Sequence, residues 1–474
     1  MHYVRLSIAC LIACTVSLLV LTTPLSYAVV FQGGGGGSPG SGLPLNETAI
    51  QNQILTLQQK LAEAKALNAQ REKALAEARL APVLALDKQH NCAPDQHTPT
   101  TYITYLTHFS CGHVSVLANG TVTRKFVLIA DDFHGIGKAI PITTNQEDTV
   151  TSGAHKFNVT SNKNFEPVIF HGWTFNNTVP GPTIRVTQGD HVEVKVEVTN
   201  DSAFAHSWHV HSIHAGTQDG TMTASGMIFP GTSYTYKFIA MPAGLYPYHC
   251  HMAPIEEHIS RGLYGMMIID PVKPRPPAAE MVMMMNAYTF SYEGVNGSGH
   301  LAPTIPATMQ QIRQNLSDVE EKSDENNGPD NQFYTVNGMA FGYTGPNMIQ
   351  LHTNTPYRIY LMNMVEFDPA NSYHQHGAMF YFQESCTPQS ARTYTDIVLL
   401  QQADRGCVEF NYTLPGEFMI HSHIAHFSDL GWTGFFNVTN TPPPPVSASV
   451  VTTSPSLSSL AGGNPSPQEV PSKR

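Results

Sequence analysis

The amino-acid sequence predicts an all-β protein with two similar Greek-key β-sandwich domains, preceded by an N-terminal helix. Hydrophobic residues make up 41% of the 474-residue chain and charged residues only 13%, which favours a folded, β-rich protein over a disordered one. From residue 168 onward, short apolar runs alternate with Pro/Gly turns, as strands joined by tight turns do. The same order of motifs then occurs twice at about domain spacing, which indicates two similar sandwiches.

The N-terminus is typical of an exported protein. Arg5 precedes an apolar run at 6–21, and Ser26-Tyr27-Ala28 resembles a cleavage site, so residues 1–28 are predicted to be a signal peptide. The alternative is an uncleaved membrane tether, although the run is near the short end for a span. In both cases we expect the body of the protein outside the cytoplasm, secreted or in a periplasm-like space.

A helix is predicted at 46–81, after a flexible Gly/Ser linker at 29–45. We expect Pro82 to end this helix, because proline lacks the amide hydrogen that helices need. Its apolar residues follow heptad spacing, as in Ile54, Leu57, Leu61 and Ala64. A helix packed on its own domain and a self-associating coiled coil both fit this pattern.

The rest of the chain divides by composition and pattern. Residues 82–165 form an extension with few clear periodicities, and the two sandwiches are expected at 166–272 and 273–440. The Met283-Met284-Met285 run is interpreted as a buried strand. Residues 441–474 are rich in Pro and Ser, which predicts a disordered tail.

Cysteine usage and sequons agree with export. Four cysteines outside the signal and the metal motif allow three connectivities, of which the sequence-local one pairs Cys92 with Cys111 and Cys386 with Cys407. Nine Asn-X-Ser/Thr motifs are candidate glycosylation sites. They begin at Asn46, Asn119, Asn158, Asn176, Asn200, Asn296, Asn315, Asn411 and Asn437. The net charge of −11 and the lack of basic runs argue against nucleic acid as a partner.

Four His-X-His pairs carry the chemistry of the chain. They are His209/His211, His249/His251, His374/His376 and His421/His423. Residues two apart on a strand share a face, so each pair can present two imidazoles to one side. Eight imidazoles exceed the four ligands of a structural zinc site.

A second site is predicted on the opposite side of the same strands. Cys250 lies between His249 and His251 and therefore points away from them. His206 lies three residues before His209, and this odd offset also directs it to the other face. His258, eight residues after the cysteine, can complete a His₂Cys set, which is the geometry of blue-copper sites.

These motifs resemble the multicopper oxidases. The order His-X-X-His-X-His, His-Cys-His and a later His, with the segments TFNNTVPGPTIRVTQGDHVEV and GLYGMMIIDP, is similar to the cupredoxin domains of laccase-like two-domain multicopper oxidases and of copper nitrite reductases over residues 165–440. The resemblance implies cupredoxin-like domains and about four copper ions per chain, one of type 1 and three in a trinuclear cluster.

The resemblance also assigns ligands. Type-1 copper would take His206, Cys250 and His258; type-2 copper would take His209 and His374; type-3 copper would take His211, His249, His251, His376, His421 and His423. The axial position of the type-1 site falls on Leu263, which cannot ligate and is expected to raise the potential. In the second domain, Ser422 and Asn371 stand where a cysteine and a histidine would be, so no type-1 site is expected there despite His426.

The activity that the resemblance implies is oxidation of a donor, one electron at a time, coupled to reduction of dioxygen to water. The donor would be a small molecule or a small copper protein. Asp219 is a candidate proton donor, with an ordinary Asp-Gly turn as the alternative. The resemblance further implies a homotrimer in which the first domain of one chain faces the second domain of the next, while a monomer that closes the cluster internally is the alternative.

Two other functions remain open. Copper nitrite reductases resemble the chain in architecture, but they have aspartate where His209 stands and no histidine where His251 follows the cysteine. A simple copper-binding electron carrier would need only three ligands and would leave the eight paired histidines unexplained.

Overall fold

The computed structural model describes residues 47–93, 105–142, 149–152, 155–158, 169–221, 226–288, 331 and 333–440. The predicted signal peptide, the whole of the linker and the C-terminal tail lie outside these residues. The chain divides into two compact units, Met1–Leu67 and Asn68–Arg474. The all-β fold class is confirmed, and the N-terminal helix is present. Within the described part of the chain, no helix has the length and apolar character needed to span a membrane.

Helix α1 spans Glu47–Gln89, so the prediction that Pro82 ends it is wrong. The proline removes one bond from the helical ladder, but the last turns are held by a buried ion pair between Asp87 and Arg124, at 2.9 Å. Ile54, Leu57 and Leu61 are each more than 40% exposed. The coiled coil therefore remains a prediction.

The first sandwich follows the helix. Its strands are β1 (Cys92–Ala93), β2 (Phe109–Ser110), β3 (His113–Val116), β4 (Val122–Asp131), β5 (Lys138–Pro141), β6 (Thr149–Ser152), β7 (His155–Asn158), β8 (Ile169–Gly172), β9 (Thr174–Phe175), β10 (Ile184–Thr187), β11 (His191–Val198), β12 (His209–Val210), β13 (Ser233–Ile239), β14 (Gly244–His249) and β15 (Tyr264–Asp270), with helix α2 at Ile255–Ser260 and a 3₁₀ turn at Gly216–Gln218. One sheet has the order β1-β2-β10-β15-β14-β12 and the other β13-β11-β4-β3 with β9 beside β4, while β5 with β8 and β6 with β7 form two separate two-stranded sheets. Because β2, β3 and β4 belong to these sheets, the first sandwich begins well before residue 166, the start predicted from the sequence.

The second sandwich has the same plan. Its strands are β16 (Ala279–Tyr288), β17 (Phe333–Val336), β18 (Ile349–His352), β19 (Tyr357–Asn363), β20 (Asn371–Gln375), β21 (Phe380–Glu384), β22 (Arg392–Thr395), β23 (Ile397–Leu400), β24 (Arg405–Phe410), β25 (Gly416–His421) and β26 (Thr433–Thr439), with helix α3 at Ala425–Asp429 and a 3₁₀ turn at Gly345–Asn347. Its sheets have the orders β17-β16-β19-β24-β21-β22 and β18-β26-β25-β20-β23.

Alternation along the strands builds a separate core in each sandwich. In β11 the four valines from Val192 to Val198 are buried and the residues between them are more exposed. In β16, Met283 and Met285 face the second core while Met284 faces a third apolar cluster shared by the two sandwiches. The methionine run is therefore buried strand, as expected.

Polar links also join the sandwiches. Arg185 of the first binds Asp270 and Glu280, each at 2.7 Å, and Arg358 of the second binds the same Glu280 at 2.8 Å. Two disulfides, Cys92–Cys111 and Cys386–Cys407, confirm the sequence-local pairing.

Candidate metal centres

The thiolate site lies inside the first sandwich, between strands β12 and β14 and helix α2. The donor atoms of His206, Cys250 and His258 lie within 4.8 Å of one another. His206 Nδ1 is 3.8 Å from the sulfur and 3.4 Å from His258 Nδ1. All three side chains are buried. Two converging imidazole nitrogens and one sulfur are a donor set that suits copper, so the residues fit the metal that the sequence predicts.

The charges around this site favour a thiolate. Burial alone would raise the pKa of the Cys250 thiol, but the adjacent His258 and His206 outweigh it and hold that pKa well below its usual range. Burial likewise disfavours protonated His206, yet hydrogen bonds to Asp132 and Cys250 raise its pKa to about 9. A thiolate is the form of cysteine that binds metals.

Ser207 holds the sulfur and connects it to the other face of the strand. Its backbone N–H donates to the Cys250 sulfur at 3.3 Å, and its hydroxyl accepts the N–H of His251 at 3.0 Å. Leu263 is fully buried in the same core cluster as the cysteine and offers no donor atom. The Cys250 N–H donates to its carbonyl at 2.9 Å.

Trp173 covers the outer histidine of this site. Its ring packs edge-on against His258 with 4.9 Å between centroids, and the Arg261 guanidinium lies over the indole at 5.1 Å. Sequence reasoning missed Asp132, Ser207 and Trp173. None of them has a donor pattern of its own, and Asp132 is 74 residues from its partner, so no spacing rule could have found it.

The first histidine set lies on the other side of these strands. It comprises His209, His211, His249 and His251, and the register of β12 on β14 places His209 opposite His249. His211 Nε2 and His249 Nε2 are 3.1 Å apart, and the rings of His209 and His251 have centroids 5.0 Å apart. Burial, aided by the neighbouring imidazoles, lowers the pKa of His211 to about 4. Neutral imidazole is the form that binds metals.

Asp219 contacts the first histidine of this set. His209 Nδ1 lies 2.8 Å from the Asp219 carbonyl oxygen and 3.3 Å from its carboxylate. His214 Nε2 lies 3.4 Å from the same carboxylate. His214, which stands outside the four His-X-His pairs of the sequence, is grouped by the structure with His209 and Asp219.

The second histidine set repeats this arrangement in the second sandwich. It comprises His374, His376, His421 and His423, and the register of β20 on β25 pairs His374 with His421. His376 Nε2 and His421 Nε2 are 3.2 Å apart. His374 Nδ1 lies 2.7 Å from the Asp396 carbonyl. Burial and the other imidazoles lower the pKa of His421 to about 4.

The two histidine sets do not converge within one chain. Among the described residues, no group of three or more donor atoms within 4.8 Å combines imidazoles from both sandwiches. Each sandwich therefore presents half of the predicted eight-histidine site.

The pocket of the second sandwich that corresponds to the thiolate site has different side chains. Asn371 and Ser422 replace the first histidine and the cysteine. The Ser422 hydroxyl is 3.2 Å from that of Ser372, which in turn accepts the N–H of His423 at 2.9 Å. The strand geometry is thus kept without the metal donors.

Phe427, and not His426, takes the place of the outer histidine. The backbone N–H of Trp173 donates to the Arg261 carbonyl, and the backbone N–H of Tyr334 makes the equivalent bond to the Leu430 carbonyl. The residues three positions before these acceptors are His258 and Phe427. Phe427 stacks on Tyr334 at 3.9 Å between centroids, much as the outer histidine packs on Trp173. His426, beside it, is exposed.

The chain is similar to known copper proteins in sequence and in fold. Family models described as multicopper oxidase match residues 160–274 and 306–442. A copper-containing nitrite reductase from Neisseria meningitidis serogroup A is 25% identical over 261 residues, which is 54% of this chain and 61% of that protein. The multicopper oxidase MmcO of Mycobacterium tuberculosis is 35% identical over 144 residues, 29% of this chain and 27% of that protein.

A solved structure described as a multicopper oxidase is also similar. It is 31% identical with a TM-score of 0.54, and the match covers 74% of this chain and 99% of that one. The chain thus spans nearly the whole of this structure, but only about three fifths of the nitrite reductase's length.

Proposed function

Because this chain belongs to the multicopper oxidase family, we propose that it oxidises a donor one electron at a time and reduces dioxygen to water. One observation carries the proposal. Cys250 places its sulfur in a buried His₂Cys site, while its chain neighbours His249 and His251 turn to the histidine set behind it. The His249-Cys250-His251 order thus connects the two sites directly, as an activity that uses both sites together requires.

The ligands proposed for each centre follow the sequence assignment. The type-1 site would be held by His206, Cys250 and His258, the type-2 site by His209 and His374, and the type-3 pair by His211, His249, His251, His376, His421 and His423. When bound, the copper ions would supply one-electron acceptance at the thiolate and dioxygen reduction at the imidazole cluster. The chemistry of the donor atoms supports both assignments.

The chain's own residues connect the two sites. The Cys250 backbone leads directly to His249 and His251. The Ser207 hydroxyl accepts the His251 N–H at 3.0 Å, and this bond fixes the orientation of His251 relative to the thiolate site. Burial of the sulfur and both imidazoles excludes water from the donor site. A dry, fixed donor set is expected to lower the reorganisation that accompanies electron transfer.

Asp219 orients the type-2 candidate His209. The Nδ1 hydrogen of that imidazole is bound by the Asp219 carbonyl at 2.8 Å, which leaves Nε2 free for a metal. The Asp219 side chain is about one third exposed, at 31%, and therefore reaches both solvent and the histidine set. Its role as proton donor remains a prediction.

A homotrimer would complete the cluster. Since each sandwich presents four histidines and the two sets stay apart in one chain, we propose that the first sandwich of one chain faces the second sandwich of the next. Light scattering on the copper-loaded protein should give three times the chain mass. A monomer that carries the full copper content would contradict the trimer.

The proposed location is outside the cytoplasm. Two disulfides in the folded chain favour an oxidising compartment. Cell fractionation with an antibody tests this, and protein confined to the cytoplasm would contradict it.

Nitrite reduction is the second candidate, supported by the 25% identity to a nitrite reductase over 261 residues. The purified, copper-loaded protein should consume dioxygen with a range of donors, using about four donor electrons per dioxygen, and release no nitric oxide from nitrite under argon. Copper analysis gives an independent answer, with about four ions per chain for the oxidase, two for the reductase and one for a carrier. Nitric oxide release without dioxygen uptake would overturn the proposal.

A further inference from the structure

We infer that Asp132 is a positioning residue of the thiolate copper site: its carboxylate accepts the Nε2 hydrogen of His206 and lowers the reduction potential of the bound copper. This inference rests on the proposed function, because it requires that the site binds copper. It concerns a residue 74 positions away from its partner in sequence, outside every ligand motif of the chain.

The orientation of His206 leaves one ring nitrogen for Asp132. Nδ1 points to the Cys250 sulfur at 3.8 Å and to His258 Nδ1 at 3.4 Å. Nε2, on the far side of the ring, lies 3.2 Å from Asp132 Oδ2. A metal on Nδ1 therefore requires the proton to be on Nε2, where the carboxylate accepts it. Such a carboxylate–histidine–metal arrangement fixes the tautomer and makes the imidazole a stronger donor.

Asp132 is itself held rigidly. It is fully buried directly after the last residue of β4, and its oxygens accept three backbone N–H groups, from Gly135 at 2.9 Å, Ala203 at 2.8 Å and Phe204 at 2.7 Å. With His206 these donors use all four acceptor positions of a carboxylate. A buried carboxylate bound by amides and an imidazole stays ionised, because these hydrogen bonds favour the charged form. Its negative charge is therefore a fixed part of the site.

The second sandwich provides an internal comparison. Asn176 exchanges two hydrogen bonds with the backbone of Ile129, and Asn337 exchanges the same two with Met284. These matching bonds show that β4 of the first sandwich and β16 of the second occupy equivalent positions. Three residues further on, the first sandwich has Asp132 and the second has Ala287. The carboxylate is thus present in the sandwich that has the cysteine and absent from the one that does not.

The sign of the effect follows from charge. A negative group hydrogen-bonded to a ligand stabilises the more positive, oxidised copper relative to the reduced one, and so lowers the potential. Leu263 acts in the opposite direction, since a missing axial donor raises the potential. Asp132 would then offset part of the increase that Leu263 causes.

The test compares Asp132→Asn with wild type in the copper-loaded full-length protein. We expect the equilibrium between the thiolate copper and a reference couple to shift about tenfold toward the reduced form, which for one electron is about 59 mV. Redox titration of the thiolate-to-copper absorption measures this shift directly. Asp131→Asn is the matched control: Asp131 directly precedes Asp132 as the last residue of β4 and accepts the Phe133 N–H at 2.7 Å. It should shift the potential clearly less.

Each outcome decides a different point. An Asp132→Asn protein with the wild-type potential but lower thermal stability means that the residue only anchors its loop, and overturns the inference alone. Wild-type protein without thiolate-to-copper absorption overturns the proposed function and the inference with it. An equal shift in both variants shows that charge near the site, and not the bond to His206, sets the potential, which also rejects the inference.

A second measurement avoids any substitution at Asp132, in case the variant does not fold. Reduction of the thiolate copper should perturb this carboxylate and give a band in the reduced-minus-oxidised infrared spectrum that moves on ¹³C-aspartate labelling. The band should persist in Asp219→Asn, which removes the carboxylate beside His209. A difference spectrum without a labelled carboxylate band in that background would overturn the inference.

Discussion

The two sandwiches share a framework around their central pockets, but only the first builds a thiolate site there. In both, a serine hydroxyl accepts the N–H of the second histidine of a pair: Ser207 for His251 at 3.0 Å and Ser372 for His423 at 2.9 Å. The differences lie in the pocket itself. His206, Cys250, His258 and Asp132 of the first sandwich correspond to Asn371, Ser422, Phe427 and Ala287 of the second.

This difference shows that the two faces of the strands are independent. Side chains alternate along a strand, so the pocket side can exchange metal donors for ordinary core residues while the other side keeps its four imidazoles. The second histidine set has Nε2 contacts like those of the first, 3.2 Å against 3.1 Å, without a cysteine behind it. The histidine cluster and the thiolate site can therefore be changed separately.

Cys250→Ser makes the first pocket resemble the second and should have the largest effect. We expect the thiolate-to-copper absorption to disappear and donor oxidation to fall by more than about 100-fold, since loss of the outer partners of metal ligands alone costs about 10- to 100-fold. Absorption spectra and dioxygen uptake measure these losses. The histidine cluster should keep its copper, and its electron paramagnetic resonance signal is the control. Blue absorption that survives the substitution would reject the ligand assignment.

The reverse change should build a site in the second sandwich. The triple variant Asn371→His, Ser422→Cys, Phe427→His is expected to raise the thiolate-to-copper absorption to about twice that of wild type. The double variant that keeps Phe427 is the control and should add nothing, because His426 is exposed beside the pocket. A gain in the double variant would mean that His426 can complete the site.

The sequence predicted the strand framework and the histidine faces well, because they depend on local alternation. The offset of two between His249 and His251, and of three between His206 and His209, was enough to separate two sites. It did not predict Phe427 as the residue in place of His258. The loop between the cysteine or serine position and the next strand is shorter in the second sandwich, so counting eight residues from Ser422, as from Cys250 to His258, leads to Leu430 and not to Phe427.

Other features escaped prediction because they depend on tertiary contacts. Asp132 comes to His206 only through the packing of β4. Helix α1 continues past Pro82 because Asp87 is bound by Arg124, which lies 37 residues away. The assembly of the two histidine sets could only be inferred from the family resemblance, since each set lies on its own sandwich.

The short helices that follow β14 and β25, α2 and α3, also differ in charge. Helix α2 has Glu256 in its first turn, whereas α3 has no acidic residue there. Burial, and then the charge of Glu256, raise the pKa of Glu366 to about 7, although Gln402 donates to it at 2.8 Å. A raised pKa means that the folded state prefers the protonated carboxyl, so its contribution to stability is full below about pH 4.5 and is lost as pH rises through 7.

Glu366→Gln should remove this pH dependence. The variant and wild type should have similar free energies of unfolding near pH 4.5, and by pH 8 the variant should be more stable by up to about 3 kcal/mol. Urea unfolding of both proteins at a series of pH values measures the difference. A difference that stays constant with pH would show that Glu366 ionises normally.

The smallest effects are expected from the paired serines. Ser207→Ala and Ser372→Ala each remove one acceptor from a backbone N–H, which should lower the free energy of unfolding by about 1 kcal/mol. Urea unfolding of the two variants tests whether the two equivalent hydrogen bonds contribute equally to the free energy of unfolding. A much larger loss in Ser207→Ala of the copper-free protein would show that the two pockets are not equivalent in structure.

The central claim is that the histidine sets of two different chains form one cluster, and co-expression of two inactive variants tests it most directly. His249→Ala damages the first set and His421→Ala damages the second, so each variant alone should be inactive in dioxygen uptake. If the sets meet between chains, about a quarter of the contacts in an equal mixture join two intact sets, and about a quarter of wild-type activity should return. If no activity returns, although mixed trimers are present, the sets do not meet between chains and the account is wrong.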